Sequence, residues 1–63
     1  MEKIWFISIV CFDDNKRNLD MSEMTLEEVL MIAKANDFIN LKWINGVAEE
    51  ITETHSCRIS QNI

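Results

Sequence analysis

The chain has 63 residues, with six Lys or Arg against eleven Asp or Glu, a net charge of −5 at pH 7 and an apolar fraction of 48%. That length admits one domain, residues 1–63, and a domain of this size buries only about 60% of the surface its unfolded form exposes. The acidic balance and the scatter of Lys3, Lys16, Arg17, Lys34, Lys42 and Arg58 argue against direct binding to nucleic acid or an anionic membrane, which need a local excess of bases.

Ile4 to Phe12 reads Ile-Trp-Phe-Ile-Ser-Ile-Val-Cys-Phe, almost unbroken β-branched and aromatic sequence. A membrane-spanning helix needs about 20 apolar residues, roughly twice this run. A secretory leader needs a basic start and a small-residue cleavage site, whereas Glu2-Lys3 precedes the run and Phe12-Asp13-Asp14 ends it. Two cysteines, Cys11 and Cys57, are fewer than secreted miniproteins usually carry. These features predict a soluble, cytoplasmic protein with no membrane contact. The run itself predicts a strand over about 3–12, buried on both faces because it does not alternate apolar with polar. Ile4, Phe6, Ser8, Val10 and Phe12 fall on one face; Trp5, Ile7, Ile9 and Cys11 fall on the other.

Asp13-Asp14-Asn15-Lys16 has the composition of a turn. In Arg17–Met24, Leu19 and Met21 alternate with polar residues, which fits a short strand near 17–22 and equally an ordered loop. Thr25 followed three residues later by Glu28 forms a capping box for a helix over about 25–36. Met24 and Val29 can form its hydrophobic staple. Leu26, Val29, Leu30 and Ala33 give the apolar stripe, widened by Ile32, and Asn36-Asp37 ends it.

Asn45-Gly46 between two β-like runs is a strong hairpin signal, because both central residues of a type I′ turn need positive φ. It predicts strands at 38–44 and 47–54, pairing Ile44 with Val47, Trp43 with Ala48 and Leu41 with Glu50. Glu49, Glu50 and Glu53 make the last strand charged, as suits an exposed edge that resists pairing with other chains. The pattern allows that strand to extend past Thr54 to Ile59, leaving 60–63 as a frayed tail. The predicted fold is α+β: a small antiparallel sheet of three to four strands with one helix on one face, in the order β-(β)-α-β-β.

Little of this composition points to chemistry. Cys11, His55 and Cys57 are the conceivable metal ligands, but structural zinc takes four, usually from paired clusters. One His, one Gly and no nucleophile–base pair leave no expected catalytic residue, metal or cofactor. The acidic pairs have structural explanations as turn, helix start and charged edge. What the sequence does predict is contact. One helix covers one face of a sheet, so the other exposes either the Trp5, Ile7, Ile9, Cys11 row or the Phe6, Val10, Phe12 row, and apolar patches of that size are seldom left in water. The expected function is a small non-enzymatic protein-binding module that inhibits or regulates an unidentified partner protein, as a homodimer. Trp5, Ile7, Ile9 and Trp43 are its candidate interface residues. The alternative is an acidic decoy of the mobile-element type, with Glu49, Glu50 and Glu53 imitating phosphates before a nucleic-acid enzyme.

Overall fold

The computed structural model describes residues 2–13 and 17–61, so most of the turn expected at 13–16 and the last two residues of the expected tail lie outside the described residues. The elements are β1 (Trp5–Cys11), β2 (Leu19–Met24), α1 (Leu26–Ala35), β3 (Lys42–Ile44), β4 (Val47–Ile51) and β5 (His55–Gln61). They form one helix and one five-stranded sheet in the order β2-β1-β5-β4-β3, antiparallel throughout.

The α+β class agrees with the sequence; the strand count and topology do not. Residues 55–61, expected as the end of the charged strand and a frayed tail, form a separate strand at the centre of the sheet. Thr52 makes the reversal possible. Its hydroxyl accepts from the N–H groups of Thr54 at 3.3 Å and His55 at 3.0 Å, giving the chain a side-chain-mediated turn without glycine. β4 is thereby enclosed between β3 and β5, so Glu49 and Glu50 do not mark an edge; the edges are β2 and the three-residue β3.

Helix α1 begins as its sequence dictates. Thr25 Oγ1 accepts from the Glu28 N–H at 3.1 Å, and Glu28 Oε1 accepts from the Thr25 N–H at 2.9 Å. These hydrogen bonds favour the ionised carboxyl and hold the Glu28 pKa below the usual carboxylate range. The helix ends in a Schellman motif, in which the Phe38 N–H reaches the Ala33 carbonyl at 2.9 Å and the Asp37 N–H reaches that of Lys34 at 3.0 Å. Asp37 sits at φ 69°, the left-handed position that glycine usually fills. Phe38, expected in a strand, instead folds back under the helix and is buried beside Ala33. The following strand therefore starts only at Lys42.

The hairpin keeps the predicted register, Ile44 opposite Val47 and Trp43 opposite Ala48, with Lys42 opposite Glu49 closing the ladder one pair short of Leu41. Asn45 and Gly46 both have positive φ, as their turn requires. β1 and β2 meet through a bulge. Trp5 and Ile7 are two residues apart, but their partners Met24 and Met21 are three apart, and Glu23 at φ 61° accommodates the extra residue.

The core lies between α1 and one face of the sheet. Val29 and Ala33 from the helix meet Ile7 and Ile9 of β1, Cys57 and Ile59 of β5, Ala48 of β4 and Phe38. Leu26 and Ile32 flank this stripe, while Leu30 turns toward solvent.

A candidate protein-docking face

Antiparallel register decides which side chains share a face, since residues directly opposite one another point the same way. The pairs Ile7–Ile59 and Ile9–Cys57 lie under the helix, together with Ala48 opposite Ile59 and Trp43 opposite Ala48. The residues between them must point away. Ser8 is opposite both Asp20 and Arg58; Arg58 is opposite Glu49, and Glu49 is opposite Lys42. A polar row, Asp20–Ser8–Arg58–Glu49–Lys42, thus crosses the whole sheet on its helix-free side.

Rows on either side of it are largely apolar. One contains Phe6 opposite Ser60 and Ile44 opposite Val47, and the same register carried one residue past Ala48–Ile59 sets Val47 beside Ser60. The other contains Val10 opposite Ser56 and Ser56 opposite Ile51. Val10, Ile44 and Ile51 remain 36%, 68% and 72% exposed. A shallow open groove of about 760 Å³ runs along this side, lined among others by Lys42, Ile44, Val47, Glu49, Ile51 and Arg58.

The four interface residues expected from sequence lie on the other side. Ile7 is fully buried and Ile9 nearly so in the monomer's own core, so neither presents a surface to another chain. Trp5 and Trp43 pack edge to face with ring centroids 6.0 Å apart. Their strands are separated by two others, about 14 Å at ordinary strand spacing. Trp43 lies opposite the fully buried Ala48, whose methyl group is the smallest side chain in its row. Trp43 stays half exposed, so this aromatic pair caps the end of the helix-covered face. The alternative row named from sequence, Phe6, Val10 and Phe12, is the uncovered one. Strand β1 itself could not decide this, because both of its rows are apolar; the alternation in His55-Ser56-Cys57-Arg58-Ile59-Ser60 decides it. That signal was readable in the sequence and points directly to Arg58.

The three acidic candidates do not share a face. Glu49 lies on the helix-free side with its Oε2 3.9 Å from Arg58 Nη1, both side chains being more than half exposed. Glu50 faces the helix side opposite Cys57, and its Oε1 accepts from the Asn40 N–H at 2.8 Å. Glu53 belongs to the turn between β4 and β5.

Cys11, His55 and Cys57 do share a face, since Cys11 is opposite His55 and Cys57 follows two residues later. His55 Nδ1 lies 2.7 Å from Thr54 Oγ1 in the turn. Burial pushes the Cys57 thiol up to about 11, with a smaller contribution from the Glu50 carboxylate; it is a core side chain in a form that disfavours the nucleophilic thiolate. Among the described residues, no group of three or more His, Cys, Asp and Glu side chains gathers where it could hold a metal ion. No helix among them is long and apolar enough to cross a membrane. The chain matches no protein-family model, no curated protein and no solved structure with which it was compared.

Proposed function

We propose that this protein is a small acidic, non-enzymatic binding module that regulates or inhibits a partner protein, works as a homodimer, and makes its protein contacts through the helix-free face of the sheet. One observation carries the reading: exposed Val10, Ile44 and Ile51 surround a row containing Arg58 and Lys42. Exposed apolar side chains grouped on one face mark interaction sites, and Arg is enriched in such interfaces. The charge of this row supports the same reading. Asp20 and Glu49 balance Arg58 and Lys42, so the row is neutral on a chain whose net charge is −5. A neutral, partly apolar strip lets this acidic chain approach another protein without net charge repulsion.

The decoy reading rests on the surplus of carboxylates alone. A phosphate mimic needs them in a continuous row; Glu49 and Glu50 both border the groove but alternate along β4, Glu50 being engaged by the Asn40 N–H, and Glu53 lies beyond the strand in the turn. A capture experiment from the source cells separates the two readings. The wild type is compared with Ile44→Asp/Ile51→Asp and with Glu49→Gln/Glu50→Gln/Glu53→Gln. Loss of the captured protein in the first variant and retention in the second is the expected outcome. The opposite pattern establishes the decoy, and retention by both variants contradicts a contact through this face.

A further inference from the structure

Which chemistry would cover the helix-free face is written in the order of its charges. From the β2 edge to the β3 edge the row reads Asp20, Ser8, Arg58, Glu49, Lys42. A closed dimer between identical chains is isologous, so its interface must be complementary to itself under a twofold rotation. For two sheets stacked face to face, the row tests each placement of the axis. An axis running across the strands along this row sets every charge in it against its own copy. An axis along the strands through β5 stacks Arg58 on Arg58, and one through β4 stacks Glu49 on Glu49. An axis along the strands between β4 and β5 avoids both conflicts. It sets Arg58 against Glu49 of the second copy, Glu49 against Arg58, and Lys42 against Ser8.

The neighbouring rows obey the same operation. Phe6 comes to face Ile44 of the second copy, Ser60 faces Val47, and Ser56 faces Ile51. Of the residues so paired, each large apolar side chain meets an apolar or a small one and none stacks on a charge; Val10 falls beyond the end of the three-residue β3 of the second copy and gains no partner. This axis also suits sheet-on-sheet packing, which keeps strand directions within about 30° of each other with side chains interdigitating. Resting on the reading of this face as the protein-contact surface, we propose that its occupant is a second copy of the chain, docked sheet to sheet about a twofold axis between β4 and β5, with reciprocal Arg58–Glu49 pairs at the seam.

The size of the face sets the strength of the dimer. The four strands that overlap about this axis, about 4.8 Å apart and each showing up to three outward residues about 6.8 Å apart, give roughly 400 Å² a side. Two such sides total roughly 800–900 Å², below the 1,200–2,000 Å² usual for stable complexes. The dimer is therefore a reversible one, dissociating on dilution through the micromolar range or above.

Charge reversal tests it. Arg58 and Glu49 are exposed in the monomer, so Arg58→Glu and Glu49→Arg keep the fold, which far-UV circular dichroism verifies. Each single reversal replaces two attractive seam contacts by two repulsive ones and should weaken dimerisation roughly tenfold to thirtyfold in sedimentation equilibrium. Arg58→Glu combined with Glu49→Arg regenerates both pairs with their signs exchanged and should restore association to within a few-fold of wild type. A wild-type chain that stays monomeric at millimolar concentration overturns the proposal, while leaving the contact face open to the capture experiment. A dimer indifferent to the single reversals, or not restored by the double one, overturns the seam and leaves the homodimer to be placed elsewhere.

Discussion

The two faces of this sheet are built from the same five strands and differ in almost every physical respect. The helix-covered face is small and apolar at its centre, with Ile7, Ala48, Cys57 and Ile59 at or near zero exposure. The opposite face alternates short apolar rows with a charged one and leaves Ile44 and Ile51 mostly in water. The contrast shows how a 63-residue chain divides its limited apolar content. It completes one core and holds the remainder on a face where charges of both signs keep the apolar rows apart. On such a face the order of the charges, rather than the apolar area, would set which surface fits it, since charge patterning confers specificity more than bulk affinity.

Substitutions that ignore the contrast should reveal it most strongly. Ile59→Ala and Ile7→Ala each remove a fully buried side chain and should cost about 2–5 kcal/mol, enough to unfold most of a domain this small. Ile51→Ala, a comparable truncation on the open face, should change monomer stability by less than about 0.5 kcal/mol. Urea denaturation below the dimer's dissociation range measures both, and equal losses would abolish the distinction between the faces. Ala48→Leu sharpens the same point. Placing bulk at this fully buried site opposite Trp43 should cost about 1–3 kcal/mol and perturb tryptophan fluorescence, whereas a well-tolerated leucine would mean that the site is not closely packed.

A smaller effect separates the helix from the strands. Thr25→Ala should cost about 1 kcal/mol by leaving first-turn N–H groups uncapped. Its partner Glu28 adds a pH dependence. A carboxyl with a depressed folded-state pKa contributes stability that is present above its unfolded pKa and is lost as pH falls through the folded one. Wild type and Glu28→Gln should therefore differ at neutral pH and converge in acid; a constant difference would remove the ionised capping box. Cys57 works in the opposite direction. Its thiol is raised from 9.0 to about 11, so the unfolded chain ionises first and stability should fall as pH rises across that interval. Cys57→Val should flatten that alkaline decline. Gly46→Ala probes the hairpin turn. No atom lies within 4 Å of the added methyl, so only the φ of +79° opposes it, at about 1–2 kcal/mol.

What the sequence made legible was local chemistry. The Thr25–Glu28 box, the Asn45–Gly46 turn and the β1 run each carry their geometry in a few adjacent residues, and each forms where expected. What it concealed was long-range. Thr52 turns the chain through its hydroxyl, with no glycine or proline to announce a fifth strand, and that strand then takes the centre of the sheet. The candidate site depended on this element. With both rows of β1 apolar, Ile7 and Ile9 looked as available as Phe6 and Val10, and only the placement of Cys57, Arg58 and Ile59 beside them settles which row the helix covers. The acidic residues misled for a related reason: strand period assigns Glu49 and Glu50 to opposite faces, so adjacent charges in sequence do not make a charged surface.

The most direct test of the division between the faces is a dilution series followed by methyl NMR. The side chains of Val10, Ile44, Val47 and Ile51 should shift progressively with concentration, while those of Ile7, Val29 and Ile59 stay fixed. Shifts confined to the helix surface around Leu30 and Met31, or no concentration dependence at any methyl, would contradict a helix-free face that receives a second copy of the chain.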